Sequence, residues 1–325
     1  MKVGVVGTGH LGKIHARIYS EIPGVDLVGV QDSDPLVASA VAEERGCLAF
    51  ESLGELARNC DALSLCVPTF AHHELALEAL ESSCHILVEK PMARSVAEAE
   101  DMVRAASESG RQLMVGHVER FNPVMIEAMK YISQPGFVES HRLSTFVNRG
   151  IDVPVVLDLM IHDIDLLCMI LDEEPESIDA SGVSVLTGDI DIANVRLRFR
   201  GGCVANLTAS RISRKRERKL RFFQADSYLS LDLMEGRMER VAKVEGFHEK
   251  VAAALLAPDL MANLNPEELV HAETLVPTPA EPLRLELEAF LESIRNGGPC
   301  PVDAKAGLRA LRVAERILQE VRAGA

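Results

Sequence analysis

Basic residues are in short supply in this chain: 34 Lys plus Arg stand against 49 Asp plus Glu, a formal charge of -15. That balance makes a poor partner for a phosphate backbone, so no nucleic acid partner is expected. Long apolar runs are missing as well. No stretch approaches the roughly 18 residues that cross a bilayer, and the amino terminus enters a strand-like segment rather than a signal peptide. The expectation is a cytoplasmic protein with no membrane partner. The seven cysteines, at positions 47, 60, 66, 84, 168, 203 and 300, are odd in number and contain no C-x-x-C pair. They read as reduced thiols, with neither a disulfide framework nor a zinc knuckle. Internal repeats and low-complexity tracts are also absent.

What is present is enough apolar material, 47% of 325 residues, for two cores. Over the first 120 residues, KVGVVG (2 to 7), VDLVGV (25 to 30), ALSLCV (62 to 67), HILVEK (85 to 90) and QLMVGH (112 to 117) have the composition of strands buried on both faces. Helix-length segments lie between them. One of these carries a capping box, Ser95 with Glu98, and ends at Gly110. Strand and helix alternating in this way predict a doubly wound parallel sheet. From about residue 135, FVESHRLSTFV, SIDASGVSVLTG, IDIANVRLRFR, GCVANLTASRIS, RKLRFFQADSYLSLDL and RMERVAKV predict an open, mainly antiparallel sheet. An edge strand near 268 to 276 and helices near 283 to 296 and 303 to 323 follow, and 246 to 266 is ambiguous. The expected division is a dinucleotide-binding domain, 1 to 120, and an α+β domain, 121 to 325.

The string GTGHLG, residues 7 to 12, is a G-x-G-x-x-G between the first strand and the first helix, with Asp32 at the end of the next strand. Gly7 permits a tight turn, Gly9 lets a pyrophosphate approach, and Gly12 lets helix and strand pack; Thr8, His10 and Leu11 complete the loop. Asp32 would accept from a ribose and repel a 2'-phosphate, which favours NAD over NADP. The competing reading is a structural turn without ligand. Pro68 and Thr69 end one strand near the expected nicotinamide, with His72 beyond reading as structural or as lying near the nicotinamide edge; Glu89 and Lys90 end the next.

LDLMIHDIDLL, residues 157 to 167, is a greasy helix carrying Asp158, His162, Asp163 and Asp165. At helical spacing Asp158, His162 and Asp165 fall within an arc of roughly 60°, a polar seam suited to a cleft, a metal or a ligand. Asp163 points away from it and reads as a solvent or interdomain partner, Asp165 as a brace. Metal binding lacks a further ligand cluster, so none is expected. His117 and Arg120 are equally compatible with substrate contact and with packing, Arg120 pairing then with Glu119 or a carbonyl. RISRKRERKLR, residues 211 to 221, reads as a solvated hairpin, with Arg211 and Arg214 as candidate phosphate clamps.

GTGHLG, Asp32, VPTFAH (67 to 72), EKP (89 to 91), GHVERFNP (116 to 123) and the D-x-x-x-H-x-x-D of 158 to 165 together resemble the Gfo/Idh/MocA oxidoreductases. The resemblance implies a Rossmann domain followed by an open sheet whose exposed face serves in homodimers or homotetramers. It also implies hydride transfer between a sugar or polyol carbinol and a nicotinamide, with Lys90, Asp158 and His162 around the reacting carbon. His162 would be the base, oriented by Asp158, with Lys90 stabilising alkoxide charge; alternatively a desolvated Lys90 is the base. A narrower likeness, on GHVERFNP, LDLMIHDIDL, ANLTASRISR and RKLRFFQADSYLSLD, is to a bacterial subgroup of UDP-N-acetylglucosamine 3-dehydrogenases that supply a transaminase in lipid A assembly. The alternatives are a free sugar or inositol dehydrogenase and a non-catalytic NAD sensor.

Overall fold

The computed structural model describes residues 1–146, 153–256 and 268–324. The chain forms two compact units. The first comprises Met1–Phe121 with Ile164–Met169 and Ala280–Arg316; the second comprises Asn122–Asp163, Ile170–Pro279 and Ile317–Ala325.

In the first unit, strands β1 (Lys2–Val6), β2 (Asp26–Gln31), β3 (Leu48–Phe50), β4 (Ala62–Leu65), β5 (His85–Glu89) and β6 (Leu113–Gly116) pair in the order β3-β2-β1-β4-β5-β6. Every pair is parallel. Helices α1 (His10–Glu21), α2 (Pro35–Arg45), α3 (Leu53–Ala57), α4 (Thr69–Glu81) and α5 (Val96–Ser109) alternate with the strands. β4 is buried at all four residues and β6 likewise, as strands covered on both faces must be. The order reverses between β1 and β4, which opens a crevice at their carboxyl ends.

The caps expected at α5 form in part: Ser95 Oγ accepts from the Glu98 N–H at 3.2 Å, and Gly110 turns left-handed at φ 64. Glu98 does not reciprocate onto Ser95; its carboxylate accepts from the Arg94 N–H at 3.0 Å and from the Arg94 guanidinium. The helices Pro282–Asn296 and Ala304–Ala323 end the fold. Residues 280–316 belong to the first unit, although a boundary contiguous in sequence assigns them to the second. The physical reason is the edge of β6: Val115 N donates to Val302 O at 3.0 Å, and Gln112 Nε2 to the carbonyls of Ser293 and Gly298.

The second unit holds β7 (Phe137–Leu143), β8 (Ser177–Val183), β9 (Ile192–Arg198), β10 (Val204–Ser210), β11 (Glu217–Phe223), β12 (Ser227–Asp232), β13 (Arg237–Lys243) and β14 (Val270–Leu275). Their order is β14-β13-β12-β11-β7-β10-β9-β8. All pairs are antiparallel except β7 with β10, which runs parallel from Phe137↔Val204 to Leu143↔Ser210. Because β10 and β11 lie on opposite sides of β7, the basic segment between them crosses the end of β7. It is a crossover, not the expected hairpin.

Along β7, Val138, Ser140 and Arg142 are buried while Phe137, Glu139, His141 and Leu143 are half-exposed. The half-exposed face is laced with polar pairs, Arg221 to Glu139 at 2.8 Å and Arg196 to Asn206 at 2.9 Å, beside a stack of Phe137, Phe223 and Tyr228. A helix α6 (Pro123–Ala128) packs near β12 and β13. The ambiguous stretch yields helix α8 (Phe247–Leu256); residues 257–267 lie outside those described.

The segment LDLMIHDIDLL is not one regular α-helix. Val156–Met160 form a π-helical turn, in which Ile161 N donates to Val156 O five residues back, and α7 (Ile161–Leu171) follows. An extra residue in one turn rotates what precedes it by about 100°, so the seam projected from uniform 3.6-residue spacing does not describe Asp158.

Candidate active site

The nucleotide cradle is built from β1, the turn and α1. Gly7 sits at φ 83, where an L side chain is strained, and a Cβ on Gly12 would lie 1.8 Å from Gly7 O. Gly9 is different: a Cβ there would meet nothing within 4 Å, so its missing side chain leaves open space. Gly9 also caps α1 without a side-chain hydrogen bond, and the first-turn N–H groups have no partner within the helix. Exposed Gly9, His10 and Leu11 surround that space, while Gly7, Thr8 and Gly12 are buried. A diphosphate fits this arrangement by charge and by room.

Asp32 follows β2 and folds back on the turn. Its Oδ2 accepts from Thr8 N at 2.6 Å and Thr8 Oγ1 at 3.0 Å, and its Oδ1 from Asp34 N at 3.0 Å. Burial raises the carboxyl's pKa, but the bonds from Asp34, Thr8 and Ser33 outweigh it and hold the group below its ordinary value. Thr8, a member of the expected cofactor loop, is fully buried and serves as the peg for Asp32.

Pro68 caps α4 and Thr69 begins it, with Phe70 66% exposed at the crevice. His72 lies one turn in, buried, with Nδ1 2.9 Å from Pro91 O and Nε2 2.9 Å from Val67 O. The ring is engaged with the protein through both nitrogens. After β5, Lys90 is half-buried and joined to Pro91 by a cis peptide bond. Glu89 is buried: Oε1 accepts from His15 Nε2 at 3.0 Å and Oε2 from Lys90 N at 3.3 Å. Burial raises its pKa, and the His15 hydrogen bond with the nearby charges reverses the sign. Glu89 therefore anchors the turn that carries Lys90. His15, Cys66 and Glu89 bring three potential metal donors within 4.8 Å of one another. Burial pushes the Cys66 thiol well above its usual pKa, and His15 and Glu89 are bonded to each other, so the set is poorly prepared for a metal.

Glu286 is a buried group that sequence reasoning missed. Its carboxylate is fully buried with neither oxygen hydrogen-bonded among the described residues, and burial, with Glu89 and Asp165 nearby, raises its pKa well above normal. The only sequence signal was a Glu on the apolar stripe of an amphipathic helix. Arg120 is paired neither with Glu119 nor with a carbonyl alone: it forks onto Asp165 at 2.7 and 2.6 Å and adds a bond to Pro301 O at 3.3 Å. Asp165 is thus the expected brace. His117 is buried 4.0 Å from the same carboxylate, and burial lowers its pKa.

In the second unit Asp158 and His162 are both half-buried. Asp163 is not a solvent partner. Its side chain is 2% exposed and forks onto Arg142 of β7 at 3.0 and 2.6 Å. Arg211 is turned inward: it is buried, with Nη2 2.6 Å from Val153 O and 3.8 Å from Asp158 Oδ2. Arg214 is exposed in the crossover.

Comparison with known proteins matches residues 1–117 to the oxidoreductase family with an NAD-binding Rossmann fold, and residues 129–227 to the GFO/IDH/MocA C-terminal domain. The chain is 34% identical to the UDP-N-acetylglucosamine 3-dehydrogenase of Acidithiobacillus ferrooxidans, over 99% of this chain and 98% of that one. The solved structure of that dehydrogenase superposes with a TM-score of 0.89. An inositol 2-dehydrogenase of Rubrobacter xylanophilus is 32% identical over 65% of each chain. An NAD-binding oxidoreductase of Klebsiella pneumoniae, 17% identical with a TM-score of 0.83, shares the fold. With an NAD-binding Rossmann unit, the matching carboxyl-terminal domain and a full-length relative, the chain belongs to the Gfo/Idh/MocA family of oxidoreductases.

Proposed function

We propose that this protein oxidises the 3-hydroxyl of UDP-N-acetylglucosamine. The observation that carries the reading is the likeness to a UDP-N-acetylglucosamine 3-dehydrogenase across 99% of the chain, where the inositol dehydrogenases match only about two thirds. Bound at the cradle, NAD supplies a hydride acceptor; Gly7, Gly9, Gly12 and the α1 N–H groups hold its diphosphate, and Asp32 its ribose. The C3 hydrogen leaves the sugar as hydride and the hydroxyl proton passes to a protein base, giving a 3-keto sugar nucleotide.

Lys90, Asp158 and His162 are the residues we assign to proton transfer, on the motifs they occupy. His162 acts as base with Asp158 supporting its imidazolium, or Lys90 takes the proton and His162 positions the sugar. Arg214, exposed and basic, is the better placed of the two candidate diphosphate clamps, since Arg211 already serves Val153 and Asp158. The keto product suits an aminotransferase of lipid A assembly. Free thiols at the described cysteines suit a cytoplasmic enzyme. The polar-laced face of the second sheet suits a homodimer or homotetramer.

NADH absorbance with UDP-N-acetylglucosamine, other UDP-sugars, free hexoses and inositols tests this reading. Turnover confined to inositol or free hexose replaces it with the second family activity. NAD binding with no turnover on any of them sinks the proposed substrate. Lys90→Ala and His162→Ala variants that still bind NAD but do not turn over support the assigned roles, and full activity in either removes that residue.

A further inference from the structure

The two strand ends that flank the crevice, Val67-Pro68-Thr69 after β4 and Lys90-Pro91 after β5, are separate loops in the sequence. Each leaves a buried strand, and parallel strands at that point no longer share hydrogen bonds. One side chain spans them. His72, in the first turn of α4, directs Nδ1 to Pro91 O and Nε2 to Val67 O, each at 2.9 Å, and is 1% exposed. It presents no ring nitrogen to a cofactor.

The geometry points to His72 as a positioning residue: a buried imidazole clamp that fixes the Lys90 turn against the Val67–Thr69 loop. This rests on the reading of Lys90 as a residue of proton transfer. The Lys90 main chain is also held by Glu89, whose carboxylate accepts its N–H, and His15 holds Glu89 in turn. The clamp adds a second constraint, on the Pro91 carbonyl one residue beyond Lys90. A misplacement of about 1 Å costs on the order of 10²-fold in rate, so a loose turn is expensive even with every catalytic group present. A neutral ring donates through one nitrogen only. Burial outweighs the carbonyl contacts and the Glu89 charge and lowers the ring's pKa, so the neutral form is favoured: one nitrogen donates to its carbonyl and the other packs against the second.

The test uses the full chain with His72→Phe, which keeps a ring and removes both ring nitrogens, and His72→Gln, which keeps an amide donor. Hydrogen exchange reads the clamp without reference to substrate: His72→Phe should speed exchange in the segments around 66–70 and 88–93. Steady-state kinetics with UDP-N-acetylglucosamine and NAD read the consequence. His72→Phe should lower kcat by about 10²-fold with NAD affinity within about 3-fold of wild type, and His72→Gln should recover to within about 10-fold. The double variant His72→Phe/Lys90→Ala should be no slower than Lys90→Ala alone, because a residue acting through Lys90 has nothing left to position. Unchanged exchange overturns the clamp. Faster exchange with undiminished kcat, or a multiplicative loss in the double variant, overturns the action through Lys90. A fully active Lys90→Ala instead defeats the assignment of Lys90 itself.

Discussion

Removing Arg142 isolates the electrostatic cost of a buried ion pair in the second unit. Arg142 and Asp163 meet fork to fork at 3.0 and 2.6 Å, with side chains 4% and 2% exposed, so neither charge has water to fall back on. Arg142→Met fills the space and leaves the carboxylate buried alone, at a cost of about 3–5 kcal/mol. At roughly 2–4 °C per kcal/mol for a unit of this size, the melting temperature should fall by about 6–20 °C. Asp163→Leu takes this carboxylate away from the guanidinium and should also destabilise the unit. The double variant Arg142→Met/Asp163→Leu removes both charges and should return to within about 4 °C of wild type, because paired removal of a buried ion pair is close to neutral. The assay is thermal unfolding of all four proteins in one buffer, with calorimetry to separate the two units. An exposed pair would contribute only about 0–1 kcal/mol. A shift under about 2 °C for both single variants, or a double variant equal to their sum, would refute the burial argument.

Gly9→Ala and Gly12→Ala should separate binding from folding. The first should leave the melting temperature unchanged and weaken NAD binding about 10-fold or more, while the second, with a Cβ 1.8 Å from Gly7 O, should destabilise the apoprotein by about 1–3 kcal/mol or more; thermal unfolding and NADH fluorescence read both. Asp191 accepts from Val185, Leu186 and Thr187 N–H and from the Thr187 hydroxyl; burial raises its pKa and those bonds more than reverse the shift. A carboxyl with a depressed folded pKa stabilises above its unfolded pKa, near 3.9, and loses that contribution as pH falls. Asp191→Asn should therefore cost about 1–3 kcal/mol at neutral pH and progressively less in acid, measured by urea unfolding. Glu286 has the opposite sign, its pKa raised by burial, so its neutral form is favoured and stability falls as pH rises above about 4.3. Glu286→Gln should raise the melting temperature more near pH 8 than near pH 5, and an equal gain at both would argue against a titrating carboxyl.

The amino-terminal half was legible because its signals are local. Strands buried on both faces read as apolar runs, and the glycine turn and Asp32 sit at fixed offsets that the pyrophosphate chemistry dictates. β3 escaped because Leu48 and Ala49 are exposed and Phe50 is half-buried, which leaves no apolar run of useful length. The π-helical turn at Val156–Met160 escaped because it is defined by a bond five residues back, which no side-chain periodicity reports. Asp163 was misread for a related reason. On a helical wheel it leaves the seam, and its partner Arg142 arrives from β7, 21 residues earlier and on a different element. For His72 a structural role was one of two open readings, but which segments it joins could not be read, since both of its partners are main-chain carbonyls.

The first unit contains Val302 and Ser293 as firmly as it contains Gly7. During synthesis the ribosome releases every strand of the parallel sheet long before residues 280–316 emerge, so the edge of β6 must wait for the carboxyl-terminal helices with its amides unmet. An amino-terminal domain that folds first does so without the Val302 carbonyl on its Val115 amide. A ribosome-bound intermediate with an open sheet edge is built into its topology, and premature termination anywhere in the second sheet would release a nucleotide-binding unit without its seal.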